Sequence, residues 1–249
     1  MASLQLIRNA TLLLEIGGVR FLLEPSLDPA GVRPPVADTP RQRPNPLVEL
    51  PLDAEALVAS ADAVVVTHLH TDHVDETGTA LVARAATPVF AQPGDGPALR
   101  ERGLPDVTEV DPAAEHRGVT ITRTGGCHGH GAMAEQLGPV SGFVFRAPGE
   151  PVVYVAGDTV WCDHVAAALE EHRPDVVVVN AGGARFHEGG LIVMGADDVL
   201  STAAAAPEAH VVAVHMEAIN HCLLERDELR AAVAGHRVTV PEDGDVLAL

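Results

Sequence analysis

The sequence predicts a single α/β domain spanning residues 1–249, with strands and helices stacked in layers. Three observations point there. The chain has 249 residues of which 47% are apolar, enough for one sizeable core. Short runs of branched apolar residues recur along it. From about residue 53 these runs alternate with stretches of helical periodicity, the grammar of a layered α/β fold.

The opening runs at 4–7, 12–16 and Val19–Leu23 read as antiparallel strands, with Gly17-Gly18 as a tight hairpin turn. Residues 25–51 hold eight prolines, which interrupt any regular pattern and predict a long surface loop able to overhang its surroundings. A helical stretch at 53–59 then leads into the strand Ala63–Val66, and a helix at 77–86 leads into a strand at 88–91. The second half predicts strands at 119–123, 142–146, 152–156, 176–179, 211–214 and 238–240. Helices are expected between them at 164–172, 196–206 and 226–234.

Composition narrows the function. Acidic residues number 35 against 16 basic ones, a formal charge of −19, and every basic residue is arginine. A lysine nucleophile or Schiff base is therefore excluded, and a nucleic-acid partner is not expected of so acidic a surface. No apolar run approaches the length of a membrane span. Cys127, Cys162 and Cys222 are an odd number at long spacings, which fits a reducing compartment, and residues 1–18 lack the parts of a signal peptide. A cytoplasmic protein with a small-molecule substrate is the expectation. Nothing in the sequence fixes an oligomeric state.

The chemistry is concentrated in Thr67-His68-Leu69-His70-Thr71-Asp72-His73, directly after the strand Ala63–Val66. Three imidazoles and a carboxylate within six residues are a dense set of metal ligands. In an extended stretch His68 and His70 point the same way and can grip one ion, and a turn at Thr71 swings Asp72 and His73 toward a second.

His68-x-His70-x-Asp72-His73 after an apolar strand resembles the signature of the metallo-β-lactamase superfamily, which includes glyoxalase II, lactonases, phosphodiesterases and ribonuclease Z. The resemblance covers nearly the whole chain. It implies an αββα sandwich of two mixed sheets flanked by helices, with metals at one end of the sheets. The family's next ligand is a histidine in a loop after a strand. In Gly125-Gly126-Cys127-His128-Gly129-His130-Gly131, His128 and His130 compete and Cys127 is a third candidate; His128 is favoured because it comes first after the strand. The bridging carboxylate matches Asp158 in Gly157-Asp158-Thr159, and the last ligand matches His215 after the run 211–214. The alternative for Asp158 is a helix N-cap.

The resemblance thus implies one metal held by His68, His70 and His128, and a second by Asp72, His73 and His215, with Asp158 and a hydroxide shared. Zinc is expected, and manganese or iron would also suit the donors. Two ions about 3.5–4 Å apart lower the pKa of a shared water toward about 7 and polarise a carbonyl or phosphoryl oxygen. The expected activity is hydrolysis of a small ester, lactone or phosphodiester, similar to the ascorbate phosphate lactonase branch, with Asp158 and Asp72 as catalytic carboxylates and Asp72 or a metal-bound water as the proton donor to the leaving group. Two divalent ions also make the pocket floor locally positive, so an anionic substrate is compatible with the acidic chain. Arg185, Glu217, Asn220, His221, His130 and Trp161 are candidate substrate-binding residues. The other readings are a mononuclear iron oxygenase similar to persulfide dioxygenase, a ribonuclease Z-like nuclease and a metal-binding protein without turnover.

Overall fold

The computed structural model describes residues 2–249. Its first half runs β1 (Ser3–Arg8), β2 (Thr11–Ile16), β3 (Val19–Leu23), α1 (Ala54–Ala59), β4 (Ala63–Val66), α2 (Glu76–Ala85), β5 (Val89–Ala91), α3 (Gly96–Glu101) and β6 (Val107–Glu109). The second half runs β7 (Ala113–His116), β8 (Val119–Gly125), α4 (Ala132–Leu137), β9 (Ser141–Arg146), β10 (Val153–Val155), α5 (Asp163–His172), β11 (Val176–Asn180), α6 (Ala196–Ala205), β12 (His210–Val214), α7 (Arg226–Ala232), β13 (Val238–Thr239) and β14 (Val246–Ala248).

Two seven-stranded mixed sheets result, ordered β14-β1-β2-β3-β4-β5-β6 and β13-β12-β11-β10-β9-β8-β7. Strand alternation explains why they stack. In β4, Ala63 and Val65 enter the core between the sheets, and Val64 and Val66 turn to the outer layer with residues of α1, α2 and α3. In β11, Val176 and Val178 face inward, and Val177 and Val179 pack with residues of α5, α6 and α7. Because both faces of these strands are buried, they read as unbroken valine runs. The architecture is the αββα sandwich that the resemblance implied.

The predicted elements recur with ends shifted by a few residues. The elements without a prediction are α3, α4, β6, β7 and β14. The two helices span six residues each, and the three strands span three or four with exposed positions in their burial pattern, so neither periodicity has room to appear. Asp158 caps no helix, since α5 begins after Cys162.

The strand directions position the site. β3, β4 and β5 are mutually parallel, as are β10, β11 and β12. The residues at or just past their carboxyl ends, among them Glu24, His68, Asp158, Asn180 and His215, therefore converge on one edge of the sandwich, as ligand sites do in parallel sheets.

Candidate metal centre

The segment after β4 folds back on itself, with both His73 N–H and Val74 N–H donating to the carbonyl of His70 at 3.0 Å. That turn divides the motif as its spacing predicts. His68, His70 and His128 bring one ligand atom each into a first group, and Asp72, His73, Asp158 and His215 form a second, with the donors of each group within 4.8 Å of one another. In the first, His68 Nε2 lies 2.9 Å and His128 Nε2 3.3 Å from His70 Nδ1. In the second, His73 Nε2 and His215 Nε2 are 3.3 Å apart, and Asp72 Oδ2 is 3.4 Å from His215 Nε2. Asp158 Oδ2 stands between the groups, 3.6 Å from His128 Nε2 and 3.2 Å from His73 Nε2.

Most of these ligands are anchored from behind, which fixes the tautomer that leaves a lone pair on the inward nitrogen. His73 Nδ1 lies 2.7 Å from Glu24 Oε2, His128 Nδ1 2.7 Å from the carbonyl of Ile192, and His215 Nδ1 3.3 Å from Cys222 Sγ. Asn180 Nδ2 donates to Asp158 Oδ1 at 2.6 Å. His215 takes a left-handed backbone, φ 65°, held by donation of its N–H to the carbonyl of Asn9 at 2.9 Å. The neighbouring glycine positions are equally constrained. Gly157 has φ 71° and a Cβ there would lie 2.7 Å from the carbonyl oxygen of Ser141, while a Cβ on Gly182 would lie 2.2 Å from that of His215.

The donor set fits divalent cations. Within each group, inward-facing imidazole nitrogens and carboxylate oxygens lie within 4.8 Å of one another at a buried site, an arrangement that positive charge reconciles. On the protein's own charges that demand falls on protons. Burial alone would lower the pKa of His73, but the Asp158 and Asp72 carboxylates push it up to about 10. His215 is raised in the same way, against burial, first by Asp158. Burial tends to raise Asp72 and Asp158, yet His73 above all holds both well below the usual carboxylate range. His68 is pushed well below its ordinary value by burial and then by the charge of His73. A divalent ion held there would replace these protons with a charge suited to nitrogen and oxygen donors.

Beside the ligands lies a cavity of about 290 Å³ whose wall includes Val36, Leu69, Leu137, Phe186, Ile192 and His221. Val36 comes from the proline-rich loop. Asn220 is the clamp on that loop: its Oδ1 accepts from Val36 N–H and from Asn45 Nδ2, and its Nδ2 donates to Thr39 Oγ1 and to the carbonyl of Arg41. Its polar atoms are therefore spent on the loop rather than offered to a substrate. Glu217 is likewise occupied, accepting from Arg226 Nη1 at 2.6 Å. Arg185 and His130 are exposed, and neither lines the cavity. Trp161 packs against the cluster between the second sheet and its helices. Of the six residues predicted to meet substrate, His221 is the one placed in the cavity wall.

Three supporting residues escaped the sequence reading. Glu24 and Asn180 carried one signal, a polar residue at the end of an apolar strand. Cys222 carried none, because only the fold sets it behind His215.

This geometry agrees with what the sequence resembles elsewhere. Residues 19–216 match the family model described as beta-lactamase superfamily domain. The chain belongs to the metallo-β-lactamase superfamily. It is 35% identical to UPF0173 protein YddR of Bacillus subtilis, over 96% of each chain. Among solved structures it is similar to a possible metal-dependent hydrolase from Veillonella parvula, with TM-score 0.93 and 35% identity over 100% of both chains. It is also similar to isothiocyanate hydrolase from Delia radicum gut bacteria, with TM-score 0.91 and 36% identity over 99% of both chains. CmlA, a diiron β-hydroxylase from Streptomyces venezuelae, shares the fold at 17% identity and TM-score 0.69, with 54% of its length matched. The metallo-β-lactamase superfamily thus accounts for both the sandwich and the His/Asp cluster, the framework of a metal-dependent hydrolase. No helix of the described residues is long and apolar enough to cross a membrane.

Proposed function

We propose that this protein is a cytoplasmic dinuclear metal hydrolase, zinc-loaded, acting on a small uncharged electrophile, with an isothiocyanate as the leading substrate class and neutral esters and lactones behind it. The observation that carries the substrate reading is the cavity wall. Five of its side chains, Val36, Leu69, Leu137, Phe186 and Ile192, are apolar, and neither arginine nor lysine stands among its lining residues. Such a wall desolvates an apolar group and offers no fixed cation for a phosphate or carboxylate. On this reading an uncharged substrate is favoured over the anionic one and the phosphodiester that the sequence also suggested. The similarity to an isothiocyanate hydrolase supports the choice, since R–N=C=S pairs an apolar R group with an electrophilic carbon.

His68, His70 and His128 would hold one ion, Asp72, His73 and His215 the other, and Asp158 both. Metals held there would supply an acidified water and polarisation of the electrophile. The protein's own residues supply the rest. Glu24, Ile192, Cys222 and Asn180 hold the ligands in their productive orientation. The apolar wall seats R with the reacting carbon over the ligand cluster, and the proline-rich loop, latched by Asn220, closes one side through Val36.

The test is turnover. Protein reconstituted with zinc is assayed with benzyl isothiocyanate, a neutral γ-lactone and bis(4-nitrophenyl) phosphate, alongside protein stripped by chelation. Turnover of the isothiocyanate that disappears on stripping and returns with two equivalents of metal is expected. No turnover of the isothiocyanate, or faster turnover of the phosphodiester, overturns the substrate reading.

A further inference from the structure

We infer that His221 is a catalytic residue, the group that carries a proton to the departing heteroatom of the substrate. This rests on the hydrolase reading above and deepens it.

The argument begins from what lines the cavity. Once the ligands His70, Asp72, His128 and Asp158 are set aside, Thr71 and His221 are its polar side chains among the described residues. Thr71 is exposed, so an alcohol there differs little from solvent. His221 is 6% exposed, and its Nδ1 is buried without a hydrogen-bond partner. A buried ring nitrogen left unpaired costs free energy, and His221 stands in the cavity wall, where a bound molecule can pair it. The rest of the residue is fixed. The carbonyl of His221 accepts from Arg185 N–H at 3.2 Å, Asn220 before it is clamped to the proline-rich loop, and the ring stands against Phe186 with centroids 6.5 Å apart. The imidazole is thus held at the edge of an apolar pocket beside the metal ligands, and burial above all pushes its pKa down to about 4, so the resting ring is neutral and free to take up a proton.

The other candidate for this role, Asp72, is less free. Its Oδ2 lies 3.4 Å from His215 Nε2 and 3.9 Å from His73 Nε2, inside the ligand cluster. His221 touches no member of that cluster through a hydrogen bond. In the proposed step the water oxygen adds to the central carbon of R–N=C=S, and the C=N electron pair moves onto nitrogen. The imidazole takes the proton that water loses and delivers it to that nitrogen, so the ring ends as it began. The C–N bond of the resulting thiocarbamate then breaks with a second such proton transfer, releasing amine and carbonyl sulfide.

A proton carrier is recognised by its dependence on how much the departing atom needs the proton. The experiment compares wild type with His221→Phe and His221→Gln on benzyl isothiocyanate, 4-nitrophenyl isothiocyanate, a 4-nitrophenyl ester and an alkyl ester, with metal content and thermal unfolding recorded for each protein. Positioned acid–base catalysis is worth about 100- to 10,000-fold. The expected result is a kcat loss of at least about 100-fold on the alkyl ester and benzyl isothiocyanate, against less than about tenfold on the 4-nitrophenyl substrates. Metal content at the wild-type value accompanies that pattern. His221→Gln keeps a hydrogen-bonding group but moves no proton, and is expected to follow His221→Phe. An equal loss on all four substrates, or a Gln variant with wild-type rates, overturns the assignment while leaving the hydrolase reading intact. Wild-type protein that turns over none of the four overturns both.

Discussion

Replacing Glu24 with glutamine tests how the site is held together. Glu24 is buried and φ 52° places it in the left-handed region. Its Oε1 accepts from Thr67 N–H at 2.7 Å and its Oε2 lies 2.7 Å from His73 Nδ1. The carboxylate thus accepts on both sides. Glutamine keeps the shape but has one acceptor and one donor end, so one of the two contacts becomes donor against donor. If the amide faces His73, the ring must carry its proton on Nε2, the atom that binds metal. If the amide faces Thr67, a buried N–H loses its partner. Either outcome costs about 1–3 kcal/mol, and the first is paid directly in metal affinity. Loss of such a supporting carboxylate weakens binding about 10- to 100-fold, roughly 1.4–2.7 kcal/mol. Competition between the protein and a chromophoric chelator for zinc measures it, with circular dichroism as the check on folding. A folded Glu24→Gln protein binding two zinc ions within twofold of wild type refutes the reasoning.

Other consequences follow from the same contacts. Asp158→Ala removes the carboxylate placed between both ligand clusters, and elemental analysis is expected to find at most one metal per chain, with turnover lost; unchanged metal content and activity would sink the bridging assignment. Asn220→Ala leaves the loop unlatched and is expected to cost about 2 kcal/mol in urea unfolding, with faster proteolysis in residues 36–42; a change below about 0.5 kcal/mol contradicts the clamp. Gly157→Ala meets both an unfavourable φ and the Ser141 carbonyl, so soluble protein with full metal content and a wild-type melting temperature is the result that would count against it. The pH dependence has a definite sign. His73 is raised to about 10 in the folded metal-free protein, above its unfolded value near 6.5, so its contribution is complete below pH 6.5 and is lost as pH rises toward 10. His215 acts in the same direction. The melting temperature of metal-free protein is expected to fall across pH 7–10, and zinc, which displaces those protons, to flatten the fall. A flat profile for the metal-free protein contradicts it.

Much of this protein is written locally. Valine runs such as Val176–Val179 read as strands buried on both faces, and His68-x-His70-x-Asp72-His73 divides between two ligand groups because the chain turns between His70 and His73. Asp158 and His215 were legible for the same reason, each standing just past an apolar strand. The strand direction that sends them to one edge came from the family resemblance, not from any residue near them.

What the sequence alone could not decide is everything that depends on which segments meet. The carbonyl of Ile192, 64 residues on, receives His128 Nδ1 and holds that ring beside His68 and His70, while His130 is exposed. Glu24 and Cys222 become ligand supports only when β3 lies parallel beside β4 and the loop after β12 folds under His215. Arg185, Glu217 and Asn220 looked available to a substrate because a sequence shows a polar side chain but not its partner. Tertiary structure spends Glu217 on Arg226 and Asn220 on the proline-rich loop, leaves Arg185 outside, and turns His221 into the cavity. A hydrogen bond needs its partner within about 3 Å, a distance set by the packing of two sheets and not by any spacing along the chain.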